Sequence, residues 1–277
     1  MSRLSTERIA ELDEKTARSK EIFAQAYDRF DASEMRLIWS GGKDSTLTTW
    51  LCREFCRENA LPLPICFTID EGDAFEEIDA LLKQVSADWG LELVWGRNED
   101  VLQAAGHTLN ADVVVSELSR RNQEEIKRIG FDLEKFPFEA ESYVGNHLMK
   151  TVVFNMHLEA QAVKAVFQGL RWDEQAARSN DAYVEDVAAA ELTPAHTRYR
   201  PILHFTERDV WDATHHYDIP FCTLYAQGYR SLGAKTTTEK TSDVPAWEQD
   251  LEHTQERVGR RQDKEAAMER LRRQGYM

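Results

Sequence analysis

Residues 37–45 read Leu37-Ile38-Trp39-Ser40-Gly41-Gly42-Lys43-Asp44-Ser45. An apolar run, typical of a buried strand, leads into a glycine turn and then into a segment that predicts a helix from about Thr46. Gly41 and Gly42 can adopt the positive φ values that point successive backbone N–H groups into one concavity. Because the free N–H groups at a helix start add partial positive charge, this turn predicts an anion site suited to phosphate.

The turn differs from the Walker-type phosphate loop, which has four residues between its first glycine and a Gly-Lys-Ser/Thr ending. Here the two glycines are adjacent, and Asp44 follows Lys43. The alternative interpretation is a plain Gly-Gly turn between a strand and a helix. The coincidence of two serines, two glycines, a lysine and an aspartate in residues 40–45 favours the phosphate site.

Length and composition bound the class of protein. The 277 residues, of which 42% are hydrophobic and seven are tryptophan, suffice for a buried core. No apolar run approaches the roughly 20 residues that span a bilayer, and the N-terminal residues lack the apolar core of a signal peptide. We therefore expect a cytoplasmic location without membrane association.

Charge and cysteine content exclude further classes. The net charge of −15 predicts long-range repulsion of nucleic acids, so a polyanionic partner would need a local basic patch. The four cysteines form no Cys-x-x-Cys pair, which favours small apolar packing over disulfides, a metal site or an iron–sulfur cluster. These cysteines are Cys52, Cys56, Cys66 and Cys222.

Strands and helices are predicted to alternate along the first part of the chain. Strands are predicted at 35–39, 65–69, 91–95 and 163–167, and helices at 46–59 and 75–89. This order predicts an α/β fold with a doubly wound, mostly parallel sheet and helices on both faces. Ligands of such sheets bind beyond the carboxyl ends of the strands, where Ser40 and Asp70 lie in the sequence.

The remaining segments predict three parts of the chain. Residues 1–30 are expected to form an amphipathic N-terminal helix, residues 31–218 the α/β domain, and residues 219–277 a C-terminal extension of loops and helices. Within the domain, residues 106–146 are interpreted as an insertion. We predict a short strand at 113–115, helices at 119–129 and 146–159, a loop at 131–142, a last strand at 199–203, a helix capped by Thr206, and two charged helices divided at Gly259-Arg260-Arg261.

Arg171 follows the predicted strand at 163–167 within the segment Gly169-Leu170-Arg171-Trp172-Asp173-Glu174. A guanidinium group at the carboxyl end of a buried strand is well placed for an anion, and its planar fork matches phosphate or sulfate. The alternative is a structural salt bridge between Arg171 and a nearby carboxylate.

Several separated segments, in their order along the chain, resemble one family of proteins. The chain resembles the superfamily of N-type ATP pyrophosphatases that joins phosphoadenylylsulfate (PAPS) reductases to the adenylylating small subunit of bacterial heterodimeric ATP sulfurylase (sulfate adenylyltransferase), and most of all that small subunit. The resemblance implies an adenine nucleotide alpha hydrolase-like fold. It rests on residues 40–45, His147-Leu148-Met149-Lys150-Thr151, residues 169–174 with Arg178, Pro201 through Thr206-Glu207-Arg208-Asp209-Val210-Trp211, and Glu256-Arg257-Val258-Gly259-Arg260 through Tyr276.

What the resemblance implies is adenylyl transfer, in which an oxyanion attacks the α phosphorus of ATP and pyrophosphate leaves. By similarity, Lys43 would add positive charge at the pyrophosphate and Asp44 would hold Mg²⁺. Arg171 and Arg230 would grip the acceptor or the departing pyrophosphate. His147, Lys150 and Arg200 are weaker candidates, and for His147 a structural role in the core is equally well supported. The other implied ligands of the nucleotide are Ser40, Gly41, Gly42 and Ser45 at the pyrophosphate, Thr68 and Asp70 beside the adenosine, and Gly169 and Arg178.

Departures of this sequence from the family pattern argue against some of the reactions that the family catalyses. The reductases carry a catalytic cysteine in a C-terminal Glu-Cys-Gly-like motif, and several sulfur-moving relatives carry paired cysteines near the position of Gly233-Ala234. In this chain the last cysteine is Cys222, which disfavours reduction and an iron–sulfur cluster. In the resemblance, residues 106–146 are longer than the matching part of the sulfurylase subunit and residues 225–230 are shorter, so the identity of the acceptor stays open.

Three hypotheses follow from the sequence. The first is sulfate adenylylation with a separate GTPase subunit, since the chain has no Walker motif of its own. The second is activation of a nucleic-acid phosphate together with a cysteine desulfurase, as in DNA phosphorothioation systems, with residues 120–128 as the basic patch. The third is a non-catalytic nucleotide-binding scaffold, against which the joint presence of Lys43, Asp44 and Arg171 argues. Sulfate is slightly favoured, and the terminal helices favour a homodimer.

Overall fold

The computed structural model describes residues 4–140 and 142–260. Its strands are β1 (Met35–Ile38), β2 (Ile65–Ile69), β3 (Leu93–Gly96), β4 (Asp112–Val114), β5 (Lys135–Pro137), β6 (Ala165–Gln168), β7 (Val184–Val187) and β8 (His196–Tyr199). Its α-helices are α1 (Thr6–Tyr27), α2 (Lys43–Asn59), α3 (Glu76–Trp89), α4 (Glu99–Ala104), α5 (Arg120–Arg128), α6 (Tyr143–Asn146), α7 (Val153–Ala160) and α8 (Glu207–His216). One π-helical turn, His147–Val152, joins α6 to α7.

Six of the strands form one sheet in the order β3-β2-β1-β6-β8-β7. Within this sheet, the neighbours β3-β2, β2-β1, β1-β6 and β6-β8 are parallel, and the edge strand β7 runs antiparallel to β8. Strand β1 is central: Leu37 pairs with Cys66 of β2 on one side and with Phe167 of β6 on the other. The sheet confirms the predicted α/β class with a mostly parallel, doubly wound sheet.

Side chains alternate between two apolar layers, as the twofold period of a strand requires. On one face, Leu37 and Phe167 pack with α1, and the rings of Phe167 and Phe23 lie 5.1 Å apart. On the other face, Phe67 and Val166 pack with apolar residues of α7. Helices therefore cover both faces, and the carboxyl ends of β1, β2 and β6 share one edge of the sheet.

A second apolar core lies between β3 and β6 along the chain. It combines the hairpin of β4 and β5 with α4, α5 and the π-helical turn, and its buried residues include Val101, Val113, Ile126, Phe136 and Leu148. The interpretation of residues 106–146 as an insertion, and the wider division into three parts, stay predictions.

Several local predictions are wrong. The last parallel strand is His196–Tyr199 rather than 199–203, because Pro201 has no N–H to donate to a sheet and the chain turns there. Strand β7 is not predicted, since its polar residues suit an exposed edge. Strand β5 falls inside the predicted loop at 131–142. Up to Arg260 the extension contains only short 3₁₀ turns, and the second predicted charged helix lies outside the described residues.

None of the helices within residues 4–140 and 142–260 combines the length and the apolar character needed to cross a membrane.

Candidate active site

Of the two glycines in the loop after β1, Gly41 has the positive φ that the sequence predicts and Gly42, with φ −70°, does not. Gly41 has φ +74°, the left-handed region that glycine favours, and a Cβ atom there would lie 3.0 Å from Ile78 Cγ2. Helix α2 begins at Lys43, three residues earlier than predicted, with Gly42 as its N-cap. The loop therefore ends directly in a helix start, a place whose backbone N–H groups suit an anion.

Two serines close the loop on itself. Ser45 Oγ accepts a hydrogen bond from Ser40 N (3.2 Å) and donates one to the carbonyl of Gly42 (3.0 Å). The two hydroxyl oxygens lie 3.1 Å apart. The N–H of Lys43 donates to the hydroxyl of Tyr225 (3.1 Å), so a residue of the C-terminal extension contacts the helix start.

Lys43 and Arg171 meet several carboxylates in what we call the buried charge cluster, whose members are Lys43, Asp44, Arg171, Glu207, Arg230 and Glu256. Lys43 Nζ lies 3.3 Å from Asp44 Oδ2 and 3.8 Å from Glu207 Oε1, and it donates to Glu256 Oε1. Its side chain is 1% exposed. The structure thus joins the loop to two acidic residues far along the chain.

Arg171 has a fully buried side chain at the other end of this cluster. Its Nη1 donates to Asp44 and its Nη2 to Glu256, while Nε donates to Asp173 Oδ1 at 2.8 Å. Both interpretations of Arg171 therefore have support: the guanidinium lies beside the loop, and it forms salt bridges in the structure.

Arg230 enters the cluster through Glu207 and also binds the segment that follows it. Its Nε and Nη2 donate to the Glu207 carboxylate at 2.8–3.2 Å. The same guanidinium donates to the backbone carbonyls of Asp250 (3.2 Å), Leu251 (3.3 Å) and Thr254 (3.1 Å). We call residues 250–260 the C-terminal strap.

Burial and ion pairing act on the pKa values of the cluster in opposite directions, and the balance differs between its members. Burial alone would lower the pKa of Lys43, but Asp44, Glu256 and Glu207 outweigh it and raise that pKa. Burial likewise acts to raise the pKa of Glu256, yet Arg171 and Lys43 hold it well below its usual range. The burial of Glu207 raises its pKa in spite of Lys43.

Gly169 allows the chain leaving β6 to cross the start of α2. A Cβ atom at this position would lie 2.8 Å from the carbonyl carbon and oxygen of Asp44 and 2.8 Å from Ser45 Cα. Arg178 pairs with Glu174, whose other oxygen accepts from Arg257 at 3.1 Å. Glu174 therefore links Arg178 to Arg257 of the strap.

The residues predicted beside the adenosine lie at β2. Thr68 is a buried residue of this strand, and Asp70 follows it. Asp70 accepts from the N–H of Gly72 (2.9 Å) and pairs with Arg97 (2.7 Å), neither of which belongs to the cluster. All twelve predicted site residues lie in the described part of the chain, and their functional roles stay predictions.

The weaker candidates have structural partners. His147 is fully buried in the second core, with Nε2 3.0 Å from Glu125 Oε2. Lys150 pairs with Glu71 at 2.9 Å. Arg200 donates to the carbonyl of Ala182 (3.0 Å) and to Glu185.

Asp44 does not present a ready site for Mg²⁺. One of its oxygens accepts from Arg171 and the other faces Lys43, so cations already neutralise both. Within residues 4–140 and 142–260, no three or more His, Cys, Asp or Glu side chains are arranged to hold a metal ion. The structure therefore gives no support to the predicted Mg²⁺ role of Asp44.

A cavity of about 950 Å³ adjoins the cluster on the side of the strap. Glu207 and Glu256 line it and also contact Lys43, while the loop at residues 40–45 does not line it. Its walls are α1 at Arg8, the first turn of α8, and strap residues 251–257.

The sequence model of the phosphoadenosine phosphosulfate reductase domain matches residues 34–240, which is most of the chain. The chain belongs to this family. The predicted resemblance is thereby confirmed at the level of the family.

Among relatives of this reductase-domain protein, sulfate adenylyltransferase subunit 2 of Methylorubrum populi is 25% identical over 244 residues, covering 81% of this chain and 69% of the relative. A phosphoadenosine 5'-phosphosulfate reductase of Xylella fastidiosa is 33% identical over 95 residues, which cover 34% of this chain. That match spans only 37% of the length of the reductase.

Solved structures share the fold. Candida glabrata FMN adenylyltransferase superposes with a TM-score of 0.66 at 16% identity, covering 95% of this chain and 91% of that one. The phosphoadenylyl-sulfate reductase of Candida auris, in a phosphate complex, has a TM-score of 0.55 at 17% identity and covers 86% and 99% of the two chains. These similarities agree with the predicted adenine nucleotide alpha hydrolase-like fold.

Three residues at the site of this family member are not among those predicted from the sequence: Glu207, Tyr225 and Glu256. Glu207 and Glu256 do lie in segments that carry the family resemblance, so an acidic residue in each segment is the signal that could have found them. Tyr225 has no sequence signal, because its role depends on packing against α2 from 182 residues away.

Proposed function

We propose that this protein cleaves ATP between the α and β phosphates and transfers the adenylyl group to an oxyanion acceptor. One observation carries the proposal. The loop at residues 40–45, with its Lys43 side chain, and the Arg171 guanidinium lie together beyond the carboxyl ends of β1 and β6. Phosphates of a nucleotide are the anions that this combination of helix start, ammonium and guanidinium suits.

In the proposed reaction an acceptor oxygen forms a bond to the α phosphorus while the bond to the bridging oxygen of pyrophosphate breaks. Pyrophosphate is a good leaving group, so the protein supplies alignment and charge rather than a covalent intermediate. Lys43, Arg171 and the N–H groups at the start of α2 stabilise the negative charge on the departing pyrophosphate.

Sulfate is the proposed acceptor, with a separate GTPase subunit as partner. Support comes from the relative named sulfate adenylyltransferase subunit 2, whose match covers 81% of this chain. Reduction is not proposed, because Cys222 is 1% exposed and no cysteine follows it in the sequence.

The nucleic-acid alternative has less support from the geometry. In the patch predicted at residues 120–128, Arg121 pairs with Glu159 at 2.9 Å and Arg128 with Glu125 at 2.6 Å. Arg120 pairs with Glu124 at 2.7 Å. Acidic neighbours thus offset three of the basic side chains, and the patch is a weak attractor for a polyanion.

The test measures both directions of the reaction. Because sulfate activation is uphill, ATP formation from adenylyl sulfate and pyrophosphate is followed first, with a luciferase readout that needs no GTPase partner. Pyrophosphate release from MgATP is then measured alone, with sulfate, and with DNA plus a cysteine desulfurase, each time with inorganic pyrophosphatase present, because removal of pyrophosphate drives the uphill reaction. We expect ATP formation in the first assay and stimulation of the second by sulfate but not by DNA.

Lys43→Met is the test variant, and Lys20→Met, which removes a half-buried lysine paired with Glu58 outside the cluster, is its matched control. We expect Lys43→Met to lower the rate by about 100-fold or more, the scale seen when a transition-state charge partner is removed, and Lys20→Met to leave it unchanged. Equal rates for both variants would contradict the proposed site. Stimulation by DNA alone would replace sulfate with a nucleic-acid phosphate, and no turnover in any assay would favour the scaffold hypothesis.

A further inference from the structure

Glu256 occupies the position between the two cations that the proposed function assigns to phosphate. Its Oε1 accepts from Lys43 Nζ and its Oε2 from Arg171 Nη2, so one carboxylate bridges the ammonium and the guanidinium. The Glu256 side chain is 6% exposed. A carboxylate with both oxygens bound in this way resembles one end of a diphosphate held by the same two donors.

The cluster has no spare positive charge for an added polyanion. Arg171 also pairs with Asp44 and Asp173, and Lys43 lies near Asp44 and Glu207. Because an unbalanced buried anion is strongly unfavourable, phosphates can enter only if a carboxylate leaves.

Of these carboxylates, Glu256 is the one with the least structural restraint. Asp44 lies in the first turn of α2, and Glu207 lies in α8 with its carboxylate bound by Arg230. Asp173 accepts from the N–H of Glu207 at 2.8 Å and so caps α8. Glu256 instead lies in a short 3₁₀ turn, Glu256–Gly259, outside any α-helix.

The strap is held on both sides of this turn. On one side, Arg230 binds the carbonyls of Asp250, Leu251 and Thr254. On the other side, Arg260 donates to the carbonyl of Leu232 at 2.8 Å and forms a β-bridge with Thr238. Within the turn, Arg257 pairs with Glu174 at 3.1 Å and the carbonyl of Gly259 accepts from Glu239 N at 2.9 Å, so a movement of the turn between the anchors breaks these two contacts together with the pairs of Glu256.

We propose that Glu256 is an internal ligand of the phosphate site and that the diphosphate end of a nucleotide displaces it. This inference rests on the proposed function, because it assigns Lys43 and Arg171 to phosphate. Since Glu256 also lines the cavity beside the strap, its displacement opens that cavity toward Lys43. Nucleotide binding thereby precedes access of the acceptor from this side.

The first test measures binding, so it does not depend on turnover. Dissociation constants of inorganic pyrophosphate and of a non-hydrolysable ATP analogue are determined by calorimetry for the parent protein and for Glu256→Gln, which keeps the side-chain shape and removes the competing charge. Glu252→Gln is the matched control, since Glu252 lies in the same strap but pairs with Arg208. We expect about tenfold tighter binding for Glu256→Gln and no change for Glu252→Gln; unchanged or weaker binding for Glu256→Gln contradicts the displacement.

The second test uses the parent protein alone and remains valid if Glu256→Gln does not fold. Hydrogen exchange is compared with and without pyrophosphate. We expect exchange to become faster at residues 255–259 and slower at residues 40–45, whereas a ligand that merely covers the site would protect both. Binding without faster exchange in the turn contradicts the displacement only, and failure of every variant to bind either probe contradicts the proposed nucleotide site as well.

Discussion

Gly169 lies where the chain leaving β6 crosses the first turn of α2. Its missing side chain permits a backbone approach to Asp44 and Ser45 that a Cβ atom would bring to 2.8 Å. Gly42 offers a contrast in the same region, because a Cβ atom there would have its nearest neighbour at 3.5 Å and its φ of −70° is open to any residue. The close backbone approach thus requires glycine at position 169, whereas neither space nor φ requires it at position 42.

We expect Gly169→Ala to destabilise the fold by about 1–3 kcal/mol, the usual cost of overpacking, because backbone atoms rather than flexible side chains must move. Gly42→Ala is the control and should cost less than about 1 kcal/mol. Urea unfolding of both variants measures the difference. Equal losses would show that the approach of Gly169 to α2 does not limit stability.

His157 is a second residue whose environment makes a prediction. Its ring stacks on Phe67 with the centroids 4.0 Å apart, and its Nε2 accepts from Arg36 Nε at 3.1 Å. Burial, with Arg36 adding to it, lowers the pKa of His157 to about 4. The unfolded chain binds this proton near pH 6.5, so the stability contributed by neutral His157 is complete above pH 6.5 and is lost as the pH falls toward 4.

His157→Gln keeps an acceptor for Arg36 but cannot titrate. We therefore expect the variant to lose less stability than the parent between pH 7 and pH 4.5, by an amount on the order of 2 kcal/mol. Urea unfolding at the two pH values checks this. Parallel losses in parent and variant would show that His157 is not responsible for acid sensitivity.

At the scale of elements, α1 is part of the main core and not an appendage. Ile22 and Phe23 are fully buried, and Phe23 packs against Phe167 of the central strand β6. Arg8 of α1 also pairs with Asp209 of α8 at 2.6 Å. The helix therefore connects the sheet with the element whose first residue, Glu207, belongs to the buried charge cluster.

Phe23→Ala is expected to cost about 3–5 kcal/mol, because it leaves a cavity between α1 and the sheet. Glu21→Ala, two residues away in an exposed pair with Arg18, should stay within about 0.5 kcal/mol. Denaturant unfolding of the two variants measures both losses of free energy of unfolding. A small loss for Phe23→Ala would mean that α1 packs only loosely on the sheet.

For the molecule as a whole, the homodimer stays a prediction. In the described part of the chain, the large hydrophobic side chains that are exposed are Leu133, Met156, Val244 and Val258, which lie in four different segments. A dimer through this surface would rest mainly on polar contacts, so its dissociation constant should rise with salt concentration.

The amino-acid sequence alone determined the α/β class, the parallel core strands and the Gly-Gly loop before α2. The reason is physical: apolar runs, their spacing and a Gly-Gly turn before a helix act over a few residues, where the chain has little freedom. The edge strand β7 and the 3₁₀ turns of the strap carry no such local signal, since neighbours in space decide them.

Only the tertiary structure decided the partners of the site. Glu256 lies 213 residues from Lys43 and 85 from Arg171, and no local pattern encodes a pairing across such separations. The fold brings these charges into a buried space, where each cation must find an anion because an unpaired buried charge is costly. The sequence therefore predicted Lys43, Arg171 and the loop as parts of a site, and the folded chain shows that Glu256 pairs with both cations.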